Sequence, residues 1–137
     1  MLVLKQEAYD TLLAHALAVS GEMACGILGG KLENGRRVAC LACPLPNAAH
    51  SRERFSLDRA AHSRAVSDLN AKHLVSMGTW FCHREGDAAM TPYEIQSAHD
   101  RDGSYLVLSL REPGKPVLRS YRVWGGRADA EELVIEP

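Results

Sequence analysis

Asn34-Gly35 lies between two apolar runs, Ala24–Leu32 and Arg37–Leu45, and no short signal for a β-hairpin is stronger. The second run is therefore expected to return antiparallel to the first. The first, ACGILGGKL, carries glycines that inside a strand mark a bulge or a close backbone approach. Around this hairpin the apolar period changes to that of helices. Tyr9, Leu12, Leu13, Ala16 and Leu17 share one face of a helix over Glu7–Val19, after a short apolar run at Leu2–Lys5. Leu57, Ala61, Ala65, Val66 and Leu69 do the same over Leu57–Lys72. His73–His83 and Tyr105–Leu110 read as central strands, Thr91–Asp100 as a short helix between them, and Arg84–Met90 as a loop. Val117–Trp124 alternates as a half-exposed strand, and Leu133–Ile135 adds a short last one. Hairpins interleaved with helices predict an α/β fold: a three-layer sandwich with a mixed β-sheet flanked by helices.

At 137 residues the chain has the length of one domain, and 1–137 is read as such. Charge narrows the functions. Lys+Arg is 16 against Asp+Glu 17, whereas a nucleic-acid-binding domain is usually basic and a membrane-surface protein polybasic. No apolar run approaches the ~20 residues of a membrane span, and MLVLKQEAYD lacks a signal-peptide layout. Four cysteines without an export signal read as reduced thiols in a cytoplasmic protein. H-E-x-x-H, P-loop and G-x-S-x-G motifs are absent.

The stretch Met77–Asp100, MGTWFCHREGDAAMTPYEIQSAHD, carries the chemistry. A strand ends at His83 and a helix begins near Thr91, and such junctions are where α/β folds place their sites. With ACGILGG at 24–30, PLPNAA at 44–49, RFSLD at 54–58 and the whole of 90–123, the chain resembles the MPN (JAMM) family. The resemblance implies a fold similar to that of JAMM and cytidine-deaminase domains. Active members of that family are zinc isopeptidases and metallopeptidases with an E-x-C-G strand and a later H-x-H-x(7)-S-x(2)-D motif. The two His and the Asp bind zinc, water is the fourth ligand, the Glu is the general base and the Ser helps hold the oxyanion.

Counting decides the register. With His83 as the second His, the Ser position falls on Thr91 and the Asp position on Glu94, both chemically related residues. The first His position then falls on Phe81, which binds no metal. Counting back from Cys25 puts Met23 at the general-base position, with Glu22 one residue earlier. On a strand that offset turns Glu22 to the opposite face unless a bulge re-aims it. The resemblance thus assigns His83 and Glu94 to the metal and Thr91 to the oxyanion, leaves Glu22 as the one candidate base, and finds Met23 and Phe81 substituted.

Each of these residues also has a structural role to fill. Thr91-Pro92-Tyr93-Glu94 reads as a helix N-cap with Pro at the first position and a capping box. Cys82 faces away from Phe81 and His83 and is expected in the core. Cys40 and Cys43, three apart on a strand, fall on opposite faces and are read as packing residues. His15, His50, His62, His73 and His99 lack ligand spacing and are expected to be solvated. The leading expectation is a non-catalytic binding or scaffold domain for the C-terminal tail of a ubiquitin-like or sulfur-carrier protein. Pairing with a second MPN domain, as a homodimer or otherwise, goes with it. The alternative is a zinc-dependent peptidase acting on adducts of such tails, with zinc as its cofactor on an atypical site. A third reading takes the surroundings of Phe81 and Met23 as an apolar ligand pocket.

Overall fold

Asn34 and Gly35 both take positive φ, 52° and 77°, the geometry of the two-residue turn their sequence predicts. They join β2 (Cys25–Glu33) to β3 (Arg36–Leu45) in an antiparallel pair. In the computed structural model, which describes residues 1–137, this hairpin sits inside an eight-stranded sheet. The remaining strands are β1 (Leu2–Lys5), β4 (Val75–His83), β5 (Ser104–Ser109), β6 (Val117–Trp124), β7 (Arg127–Glu131) and β8 (Leu133–Glu136). Their order is β7-β6-β5-β4-β2-β3-β1-β8, and the sheet is mixed, as expected: β4–β5, β1–β3 and β1–β8 are parallel and the rest antiparallel.

The glycines of β2 mark irregularities, as the sequence suggests. Register shifts fall between Leu28 and Gly29 against β4, and between Gly29 and Gly30 against β3. A Cβ at Gly30 would run into the carbonyl oxygen of Val38. Two strands lie beyond the sequence reading. Leu2–Lys5 is a full strand rather than only an apolar run. Arg127–Glu131, RADAE, is polar and poor in β-formers, and its strand arises from pairing with β6 across a Gly125-Gly126 turn with φ of 57° and 78°.

Three helices flank the sheet: α1 (Gln6–Ala18), α2 (Arg59–Ala71) and α3 (Pro92–Ser97). Asp58 caps α2, its carboxylate accepting the Ala61 N–H at 3.0 Å. α1 buries Ala8, Leu12 and Ala16 against Leu2, Leu4, Leu28, Trp80, Leu106 and Leu108 on one face. On the other, α2 covers Ile27 and Leu45 through Ala61 and Leu69, while α3 lies over Phe81 and Val107. Period two along β4 separates these faces: Trp80 and Cys82 go to α1, Phe81 and His83 to α3. Cys82 is in the core, as expected. Cys43 packs against the α2 cluster and Cys40 is half-buried; all four cysteines are free thiols. No helix is long and apolar enough to cross a membrane.

Candidate functional site

The C-terminal end of β4 delivers His83 to the N-terminus of α3. Thr91 caps that helix, its hydroxyl accepting the Glu94 N–H at 3.2 Å while Glu94 Oε1 accepts the Thr91 N–H at 2.9 Å. This capping box turns the Glu94 carboxylate back toward β4. Glu94 is 5% exposed. Its two oxygens lie 2.8 and 3.0 Å from His83 Nε2, and the Asp87 carbonyl lies 2.7 Å from His83 Nδ1. Both ring nitrogens therefore face acceptors, and each donates an N–H in the protonated ring. Burial pushes the His83 pKa down, but the Glu94 carboxylate and the Asp87 carbonyl outweigh it and hold it above the ordinary histidine value. The loop between is tied down at Gly86 by the Ser109 hydroxyl and at Ala88 by the Tyr121 hydroxyl, each donating at 2.6 Å.

Phe81 is fully buried. Its ring stacks on Phe55, with centroids 4.6 Å apart and planes 24° from parallel, and it leans on His83 at 5.6 Å. Met23 is 4% exposed and joins the same apolar cluster with Cys25, Met90 and Val107. Apolar packing thus fills the two positions where the sequence resemblance looks for a ligand and a base. Glu22 is placed differently from the strand argument. β2 begins only at Cys25, Gly21 has φ of 87°, and the alternation rule does not reach residue 22. The Glu22 carboxylate meets His50 Nδ1 at 3.2 Å.

A catalytic zinc takes three protein ligands. Here one imidazole and one carboxylate are bonded to each other, the next side chain on the same face of β4 is Phe81, and no three His, Cys, Asp or Glu come together to hold a metal ion. His83 and Glu94 supply two of the three protein ligands that such a site takes.

Two cavities flank the His83–Glu94 pair, with Met90 in the wall of both. The first, about 590 Å³, brings together Glu22, Met23, His83 and Thr91 with Arg52 and Arg84. The second, about 510 Å³, has Phe81 and Glu94 in its wall together with Phe55, His62, His99 and Tyr105. His62, half-buried, and His99, exposed as expected, both line this cavity, and no ligand spacing in the sequence could have grouped them. His15 departs from the expectation of a solvated residue. It packs edge-on against Trp80 at 6.0 Å, and burial lowers its pKa. Asn47 is the other residue the sequence reading missed. It is 2% exposed and anchors the connection before α2, donating to the carbonyls of Met23, Ser51 and Arg54 and accepting from the N–H groups of Ala49 and Ser56.

No protein-family model matches the chain. Over 133 residues it is 25% identical to the CysO-cysteine peptidase of Mycobacterium tuberculosis and of Mycobacterium bovis, covering 97% of this chain and 90% of theirs. A solved structure of a Desulfitobacterium hafniense protein superposes with a TM-score of 0.91 at 32% identity, covering 99% of this chain and 93% of that one. The JAB1/MPN domain protein of Archaeoglobus fulgidus superposes at 0.62 with 12% identity, over 98% of each chain, which is a likeness of fold.

Proposed function

The chain is a small MPN/JAMM-like protein, and we propose that it works without zinc hydrolysis, as a binding module for the C-terminal tail of a ubiquitin-like or sulfur-carrier protein. One observation carries the reading: the first ligand position is Phe81, fully buried against Phe55, while His83 spends both ring nitrogens on Glu94 and Asp87. The naming of the mycobacterial relatives after a CysO–cysteine adduct supports a sulfur-carrier tail as partner. The tail would lie in the cleft between Glu22 and Thr91, where an extended peptide finds polar groups on both walls and Met23 and Met90 at its base. The roles of these residues are to bind and orient. The His83–Glu94 pair holds the loop 84–91 that forms one wall, and Arg52 and Arg84 offer donors to peptide carbonyls or a terminal carboxylate.

The test is metal content by elemental mass spectrometry on chelator-free protein, followed by calorimetric titration with a free peptide ending in Gly-Gly and with its cysteine adduct. Zinc far below one per chain, with saturable binding of a tail and no cleavage of the adduct, is the expected result. A second reading rests on Glu22, which lines the same cleft as His83 and Thr91. In it the chain is an atypical zinc peptidase with Glu22 as base. Near one zinc per chain and chelator-sensitive release of cysteine would establish that reading and overturn the first.

A further inference from the structure

The second cavity lies between α2 and α3 and, at about 510 Å³, has the size of a small-molecule site. Phe55, stacked on the fully buried Phe81, supplies an aromatic wall. Tyr105 stands beyond them, 7% exposed, with its phenol oxygen accepting the Asp100 N–H at 3.0 Å. That is the only hydrogen bond of the Tyr105 side chain, so its own O–H proton has no protein acceptor. Tyr105 and Asp100 both line the cavity, which puts the proton at the cavity wall. Burial raises the Tyr105 pKa and keeps the phenol a donor. A buried hydroxyl with an unused donor is costly unless something accepts from it.

Two carboxylates stand in the same wall, Glu94 and Asp100. Glu94 is held by His83 and Thr91, and Asp100 Oδ1 accepts the N–H groups of Asp102 and Gly103. An anionic ligand would meet both carboxylates, so the acceptor for the Tyr105 hydroxyl is a neutral oxygen. We infer that this cavity binds a small aromatic molecule bearing a neutral carbonyl oxygen, its ring against Phe55 and its oxygen accepting from Tyr105. The ligand sits against Glu94, on the far side of Met90 from the cleft that holds Glu22 and His83. It goes beyond the tail reading and does not require it.

The probes are acetophenone and ethylbenzene, which share a shape and differ in the acceptor oxygen, titrated at equal concentrations into ¹⁵N- and ¹³C-labelled protein. Acetophenone is expected to shift resonances of Phe55, Thr79, Phe81 and Tyr105 saturably. It should bind about two- to tenfold more tightly than ethylbenzene, the worth of one neutral hydrogen bond. The Tyr105 Cζ resonance should move with acetophenone alone, and Tyr105→Phe should make the two probes equal. Absent or scattered shifts in the wild-type protein overturn the site. Equal binding of the two probes, or a preference that survives Tyr105→Phe, overturns the assigned donor. The Cζ reading on the unaltered chain decides this even if the variant folds poorly.

Discussion

His83 is held by the buried Glu94 carboxylate at the position where the resemblance looks for the second metal-binding histidine. Its Nε2 and the Glu94 carboxylate face the same point, and Phe81 is the nearest side chain before it on that face of β4. Met23→Glu together with Phe81→His should therefore supply the missing base and ligand. The double variant is expected to carry close to one zinc per chain by elemental analysis. Stripped of metal, it should be about 3 kcal/mol less stable than the wild type, because a stacked, fully buried ring gives way to a polar one. A folded, metal-free double variant would mean that Phe81 does not occupy the ligand position. The imidazole itself gives a pH test. Its pKa is raised in the folded state, so the stability it contributes is complete below the ordinary value near 6.5 and is lost as pH climbs through the raised value. Urea unfolding of the wild-type protein should weaken over that window relative to His83→Gln, which lacks the titrating group.

At the scale of elements, the connection between β3 and α2 is held by one amide. Asn47 gathers the carbonyls of Met23, Ser51 and Arg54 and the N–H groups of Ala49 and Ser56, and an isolated bridge to Leu57 closes the loop. Phe55 is thereby delivered to Phe81. Asn47→Ala leaves several of these groups unpaired in a buried place, each costing about 1–3 kcal/mol where water does not reach it. A net loss of about 2–4 kcal/mol is expected. Amide exchange should rise across residues 48–56 while β5 and β6 stay protected; uniform loosening of the whole chain would contradict this local role.

For the whole molecule the decisive feature is a sheet that curls back on itself. β7 ends at Glu131 and β8 begins at Leu133, yet they stand at opposite ends of the strand order with only Glu132 between them. The sheet bends until its edges meet at that end, where the Leu2 N–H donates to the Glu132 carbonyl at 2.9 Å. An ionic knot fastens the closure. Glu131 on β7 accepts from Ser120 on β6 at 2.8 Å and from Ser104 on β5, and pairs with Arg37 of β3 at 3.3 Å. Burial pushes the Glu131 pKa up, but the two hydroxyls and the guanidinium groups of Arg37 and Arg122 outweigh it and bring it below the usual carboxylate value. Its contribution is then present above the unfolded value near 4.5 and disappears as pH falls through the lowered one. Glu131→Gln should cost about 1–2 kcal/mol at neutral pH, since it takes the buried carboxylate charge away from the half-buried guanidinium groups of Arg37 and Arg122. It should also flatten the acid limb of the stability curve, and an acid limb unchanged from wild type would contradict the clamp.

The chain by itself determined whatever depends on local period and turn chemistry. The Asn34-Gly35 hairpin, the glycine irregularities of β2, the two long helices, the central strands and the Thr91–Glu94 capping box all follow from residues a few positions apart. The register that puts Phe81 and Met23 at substituted positions is a count made on the family resemblance, and the double variant tests it. What depends on distant segments was illegible. The polar strand β7 exists because β6 pairs with it, and Glu22 reaches His50 because the backbone bends at Gly21 before β2 begins. The bond between His83 and Glu94 joins the end of a strand to the first turn of a helix, and the pocket over Phe55 and Phe81 draws on four separate stretches of chain. Only closure of the sheet brings Arg37 to Glu131. Alternation and helical spacing say which face a residue takes; tertiary packing alone says what that face meets.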